Sequence, residues 1–326
     1  METEELEEVE ELEEVFIKLH PMKIYRTLIW TLIFSNLACN SNAGKQESAP
    51  AKNQVEVQGH RGDRGNFPEN SLPAFRSAVK KGAEVVELDL VISDDRQVVV
   101  SHEPFMSSLY VLTPTGNIIP KAEEKNFNLY RMSYDSIREF DAGSKGNALF
   151  PQQQPMKTYK PLLKEVIDSL EAYVASEKLP PVKYNIELKS QQNQYGISQP
   201  YPEEFADLVM QVLQEKEISG GYNVQSFDVN ILRVFKEKYP EVKLAYLVSG
   251  KGIKRNLELL GFIPAIYSPH YGLVRDSVFV DSIRSLDMKL FPWTVNEKKD
   301  IQSMLDLKVD GLITDYPERV LELRGE

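Results

Sequence analysis

From Val55 onward, short β-rich runs alternate with stretches of helical periodicity, and this alternation leaves the chain few folds. Strand patterns fall at residues 55–59, 84–91, 98–102, 182–189, 222–227, 242–248, 264–268, 289–295 and 311–314. Amphipathic stretches at 71–81, 162–175, 203–217, 229–238 and 297–305 lie between them. Strand followed by helix at this spacing gives a parallel sheet covered by helices, and the length suits a (β/α)8 TIM barrel. Nine strands are one too many for that barrel. The gap between Leu90 and Val98 is too short for a parallel crossover, so the runs around it form an antiparallel hairpin and eight barrel strands remain. With Asp95-Arg96 as the turn pair, the register sets Asp89 opposite His102; no Gly fixes the turn type.

Residues 103–160 break the rhythm, with Pro151-Gln-Gln-Gln-Pro155 and one short helical pattern at 134–140. They read as an insertion over one rim of the barrel, where long loops shape substrate access. The barrel itself is expected over 55–323.

Upstream of Val55 the chain reads as an address. Lys23 and Arg26 precede an apolar stretch, 28–34, that runs on to Leu37, Ala38 and Cys39. The stretch is too short to span a bilayer and has the flanks of a secretory signal over 22–39. Cys39 stands between it and a polar linker, 40–54, as at a bacterial lipoprotein cleavage site, although Asn36 replaces the usual Leu. The expectation is an exported protein of the periplasm or cell envelope, lipid-anchored at Cys39; cleavage nearby would leave it free. A signal begins at its own Met, so Met22 is read as the start and 1–21 as an acidic extension that is not translated.

The charge follows from that division. Of the net −11, residues 1–21 hold nine Glu and one Lys, and the other 305 residues carry 37 Lys+Arg against 40 Asp+Glu. A basic surface for nucleic acid is absent, and no protein partner is expected. One Cys pairs with nothing in the chain.

Chemistry concentrates at strand ends. Glu87 and Asp89 lie two apart on one strand and so share a face, as do Glu187 and Lys189 on a later one. At the C-terminal end of barrel strands that face is the mouth. Carboxylates crowded there repel or share a proton unless a cation joins them, and three make a hard-oxygen site for Ca²⁺ or Mg²⁺. Any one of these acids alone would pass for an ordinary strand-end salt bridge. His60 follows the first strand and His102 ends the hairpin, so two imidazoles can supply base and acid, with Arg61 and Lys189 as cations for an anionic phosphodiester. Glu69 and Asn70 fit either support of the metal ligands or a loop and cap role; Gln225 and Ser226 read as support. His270 could line the mouth by position alone.

Gly59-His-Arg-Gly62, Pro68-Glu-Asn-Ser71, Glu87-Leu-Asp89 and Ser101-His-Glu103 together resemble the glycerophosphodiester phosphodiesterases. Asn185-Ile-Glu-Leu-Lys189, Gln225-Ser-Phe227, Trp293-Thr-Val-Asn296 and Asp310-Gly-Leu-Ile-Thr-Asp315 continue the resemblance in order. It implies Glu87, Asp89 and Glu187 as ligands of one divalent cation and His60 and His102 as the catalytic pair. It further implies Arg61 and Lys189 as phosphate contacts, and Trp293 as an aromatic beside the alcohol moiety. Glu103 departs from the family's usual Asp, and Ser71 from its usual Thr. The implied reaction is hydrolysis of a small glycerophosphodiester to sn-glycerol 3-phosphate and an alcohol. The rivals are a phospholipase-like phosphodiesterase, a non-catalytic head-group binder, and a glycosidase using paired carboxylates.

Overall fold

In the computed structural model, which describes residues 55–326, eight parallel strands form one ring and a helix follows each. β1 (Glu56–Gly59) leads to α1 (Leu72–Lys81), then to β2 (Val85–Ile92) and a return strand β3 (Val98–Val100). After the insertion come α2 (Leu163–Glu177), β4 (Lys183–Leu188), α3 (Pro202–Gln214), β5 (Tyr222–Ser226) and α4 (Val229–Lys238). The ring continues with β6 (Lys243–Val248), α5 (Ile253–Leu260), β7 (Ile266–Pro269) and α6 (Ser277–Ser285). It ends with β8 (Lys289–Leu290), α7 (Lys298–Asp306), β9 (Gly311–Thr314) and α8 (Pro317–Arg324). Hydrogen-bonded order is β8-β7-β6-β5-β4-β2-β1-β9. Bonds from Asp310 N to Leu290 O (3.1 Å) and Val295 N to Ile313 O (2.9 Å) join its two ends. The acidic extension, signal, Cys39 and linker expected upstream lie outside the described residues. Among the described residues no helix is long and apolar enough to cross a membrane.

The two faces of each strand explain the packing. Along β2, Val86, Leu88 and Leu90 point outward into the main apolar core with Phe75 and Ala78 of α1 and Leu163, Val166 and Ile167 of α2. A fully buried side chain such as Phe75 contributes roughly 2–3 kcal/mol through its lost water contact. The intervening residues Glu87 and Asp89 face the barrel interior, which is how the strand's period of two places both carboxylates together. α1 starts at Ser71, whose hydroxyl accepts from Ala74 N, and stops at Gly82 in the left-handed region (φ 106°).

The hairpin is present, but its register differs from the expected one. Leu90 pairs with Val100 and Ile92 with Val98, so Ser101, not His102, lies across from Asp89 and donates its N–H to the Asp89 carbonyl (2.9 Å). The loop is one residue longer than a two-residue turn. Arg96 N bonds Ser93 O at 3.1 Å and Arg96 takes φ 60°, which is the three-residue loop with a left-handed last position. β8 is shorter than the run 289–295 because Pro269 of β7 has no N–H to return to the Phe291 carbonyl, which accepts from Ser268 Oγ instead.

Residues of the insertion build their own apolar cluster. Met106, Val111, Ile119, Leu129 and Ile137 pack with Val91 and Val99 from the hairpin, apart from the main core. The insertion therefore sits on the hairpin that carries His102.

Candidate active site

The loop after β1 is forced close to β2. Arg61 (φ 51°) and Gly62 (φ 86°) are both left-handed, and a Cβ on Gly62 would meet Ala74 C of α1 at 2.6 Å. That turn aims the Arg61 N–H at Glu87 Oε2 (2.9 Å). The other Glu87 oxygen accepts from Gln225 Nε2 at 3.0 Å. Asp89 Oδ2 accepts from Asn70 Nδ2 at 2.8 Å, and Arg61 Nε lies 3.2 Å away without the alignment of a hydrogen bond. On β4, Glu187 Oε1 accepts from Lys189 Nζ at 2.7 Å. Asp89 and Glu187 are direct neighbours in the sheet register.

Carboxylate oxygens of Glu87, Asp89 and Glu187 lie within 4.8 Å of one another, the one such acidic group among the described residues. All three are buried. Burial, then the charges of Asp89 and Glu187, push Glu87 well above the usual carboxylate range. Burial acts on Asp89 too, but Arg61, His102 and Lys189 outweigh it and hold Asp89 far below that range. Glu187 is raised by burial, against the pull of Lys189. The test of a cation site is Asp89 Oδ1, which is buried and has no hydrogen-bond donor; Lys189 Nζ is 3.7 Å away. An acceptor left open among three hard-oxygen donors fits Ca²⁺ or Mg²⁺.

Both histidines turn Nδ1 to a carboxylate. His60 Nδ1 lies 2.6 Å from Asp315 Oδ1, just past β9, and Asn296 Nδ2 donates to Asp315 Oδ2 at 2.7 Å. Burial depresses His60 despite the opposing charge of Asp315. Asp315, although buried, is drawn down to about 2 by the charge and hydrogen bond of His60. His102 Nδ1 lies 3.0 Å from Glu103 Oε1. A carboxylate at Nδ1 fixes the ring and leaves Nε2 for chemistry.

A cavity of about 300 Å³ gathers His60, Arg61, Glu87, His102, Glu187, Lys189 and Trp293, with Arg64, Gln225, Phe227 and Leu247 on its wall. Every residue expected at the site is thus at this mouth, Asp89 through its group with Glu87 and Glu187. Arg61 differs in detail from a free phosphate cation, because its NH1 is bound to Glu69 Oε1 at 2.7 Å. Trp293 is held by a bond from Nε1 to Ser268 O (2.8 Å) and meets Phe227 edge to face at 5.3 Å. His270 is exposed; its Nδ1 accepts from Gly272 N, and its ring lies edge-on to Trp293 outside the cavity. Glu69 and Asn70 do more than cap a loop, since they grip Arg61, Arg64 and Asp89.

The roles of three features cannot be read from the sequence. Asp315 and Asn296 are separated from His60 by more than half the chain, and only ring closure brings them together. Glu103 carries a carboxylate to its own neighbour, which a departure from a motif does not reveal. Arg64 gives no periodic signal, yet it pairs with Glu69 (2.8 Å) and packs on Phe150 of the insertion (4.4 Å).

With that geometry in place, comparison decides the family. The model of the glycerophosphoryl diester phosphodiesterase family matches residues 60–319. The chain belongs to that family. A glycerophosphodiester phosphodiesterase of Bacillus altitudinis is 28% identical over 276 residues, covering 83% of this chain and 99% of that one. A solved structure from Silicibacter pomeroyi superposes with a TM-score of 0.74 at 25% identity, covering 84% of this chain and 94% of the other. A phosphodiesterase of Oleispira antarctica, solved in complex with the product sn-glycerol-3-phosphate, has a TM-score of 0.66 at 23% identity. It covers 84% of this chain and 98% of its own, and shares the barrel. This chain is a phosphodiesterase of the same barrel class.

Proposed function

We propose that the enzyme hydrolyses small glycerophosphodiesters to sn-glycerol 3-phosphate and an alcohol, using one divalent cation and two histidines. The observation that carries this reading is the convergence of a three-carboxylate group and two carboxylate-paired histidines on one 300 Å³ cavity. A cavity of that size matches a head group and lies at the small end of ligand sites. It favours head-group diesters over the acyl chains of a phospholipid.

Glu87, Asp89 and Glu187 would hold the cation, which when bound supplies positive charge to a phosphate and its hydroxyls. Lys189 adds a cation on the same wall and Arg61 keeps the acidic cluster in place. His60, neutral through burial and with its Nδ1 proton directed to Asp315, has Nε2 free to accept a proton from the nucleophile. That nucleophile is water, or the substrate's own 2-hydroxyl by way of a cyclic phosphate that a water then opens to the monoester. As its oxygen bonds phosphorus, the bond from phosphorus to the alcohol oxygen breaks. His102 gives its Nε2 proton to the departing alkoxide, with Glu103 facing the imidazolium. Two features favour this division: His60 is the more enclosed ring, 14% exposed against 31% for His102, and Asp315 is anchored from its other oxygen by Asn296.

His60→Ala and His102→Ala test the roles. Each should abolish release of glycerol 3-phosphate from glycerophosphocholine while the circular dichroism spectrum stays that of the parent. Full turnover by either variant removes that histidine from the mechanism. Export and lipid attachment at Cys39 remain part of the proposal; the signal-like pattern at 22–39 supports them. Radiolabelled palmitate incorporation, lost in Cys39→Ser, checks that part.

A further inference from the structure

Two polar side chains from opposite ends of the insertion meet beside His102, and nothing in the mechanism so far uses them. Tyr110 donates its hydroxyl to Glu103 Oε2 at 2.6 Å, while Glu103 Oε1 faces His102 Nδ1 at 3.0 Å. Lys160 Nζ donates to Ser101 Oγ at 2.8 Å and to the Tyr110 oxygen at 3.3 Å, with the Tyr110 ring centroid 5.2 Å away. Ser101 Oγ in turn donates to the Glu103 carbonyl at 2.7 Å. Glu103 is therefore held at both ends, by its carboxylate through Tyr110 and by its backbone through Ser101, and Lys160 touches both holders.

Packing alone does not call for this arrangement. Lys160 is 5% exposed, and burying an ammonium costs several kcal/mol that a Leu or Met would avoid. The adjoining Pro161 carbonyl accepts from Val100 N at 2.8 Å, so Lys160 sits on the end of β3 with no slack. Burial lowers the Lys160 ammonium, and the charge of Glu103 is the largest effect opposing this.

We propose that Tyr110 and Lys160 are positioning residues for His102. They clamp Glu103 against Nδ1, so that the ring can aim its Nε2 proton at the leaving oxygen. The insertion thus contributes to proton delivery as well as covering the rim. This rests on the reading of His102 as the acid, and the test separates the two claims.

Tyr110→Phe, Lys160→Met and His102→Ala are compared on two diesters of glycerol phosphate. One has choline as its alcohol, whose alkoxide needs a proton to leave. The other is the p-nitrophenyl ester, whose phenolate leaves without one. His102→Ala should lose the choline ester and keep the aryl ester. Tyr110→Phe and Lys160→Met should lower kcat on the choline ester by about ten- to a hundredfold, with KM and aryl-ester turnover nearly unchanged. Equal losses on both esters by Tyr110→Phe would show a merely structural role and overturn the proposal, as would parental kcat on the choline ester. If His102→Ala loses both esters alike, the acid assignment fails and the proposal falls with it. Should Lys160→Met not fold, Tyr110→Phe, which removes one oxygen, decides alone.

Discussion

Asp315→Asn isolates the unit that we read as the general base. Both hydrogen bonds to the Asp315 carboxylate come from donors, His60 Nδ1 at 2.6 Å to one oxygen and Asn296 Nδ2 at 2.7 Å to the other, and Arg64 NH1 stands 3.8 Å from the first. An amide offers only one acceptor. With its oxygen toward Asn296, its NH2 faces His60 Nδ1, drives the imidazole proton to Nε2 and removes the base. With its oxygen toward His60, two NH2 groups oppose each other. The first orientation satisfies every donor but at the expense of the base's tautomer; the second leaves an unmatched donor worth about 1–3 kcal/mol. The lost charge adds to this. Asp315 is held at about 2 in the folded protein, against ~3.9 unfolded, so its ionised form favours the fold over its protonated form by roughly 2–3 kcal/mol. Because the folded value is depressed, this stabilisation is complete above about pH 4 and disappears as pH falls through about 2. Asp315→Asn should therefore melt lower than the parent at pH 7, and the gap should narrow toward pH 3. Its kcat for glycerophosphocholine should fall by about 10²–10⁴, the range of a lost general base, with KM little changed. The assays are glycerol 3-phosphate release and thermal unfolding by circular dichroism across pH. A folded Asp315→Asn with kcat within about twofold of the parent would refute the base assignment.

Other outcomes follow from the same geometry. Lys189→Met removes the ammonium beside Glu187 and Asp89 and should lower kcat/KM by at least about tenfold, read in steady-state kinetics; unchanged kcat/KM would exclude a phosphate contact. Adding Ca²⁺ or Mg²⁺ to chelated enzyme should raise its melting temperature, by the equivalent of about 2.7 kcal/mol at a hundred times Kd. Glu187→Gln should weaken that response; an equal response in calorimetry would place the ion elsewhere. Lys178 ends α2 in the left-handed region at φ 56°. Lys178→Gly should stabilise the fold by roughly 0.5–1 kcal/mol in urea titration without altering turnover.

How far the sequence could be read follows from which physics is local. The barrel was legible because burial repeats along the chain: outward Val86, Leu88 and Leu90 alternate with inward Glu87 and Asp89. The same alternation exposes Glu187 and Lys189, so the acidic group was visible before any coordinates. The hairpin was legible and its register was not. A slip of one residue depends on Arg96 adopting φ 60°, and nothing in Asp-Asp-Arg announces that as a Gly would. Asp315 was visible only as part of a motif, because its role depends on β9 closing beside β1. Tyr110 and Lys160 were invisible for the same reason in miniature. Each looks like an ordinary loop residue until the insertion folds back on β3.

The central claim is that this barrel mouth is a metal-dependent diesterase, and its most direct measurement is product release under control of the cation. Purified enzyme is given glycerophosphocholine and glycerophosphoethanolamine, and glycerol 3-phosphate is quantified before EDTA, after it, and after Ca²⁺ or Mg²⁺ is restored. Release that stops on chelation and returns with one of the ions is the result the account predicts. Undiminished release from enzyme shown to be metal-free, or no release from either diester with any added ion, would contradict it.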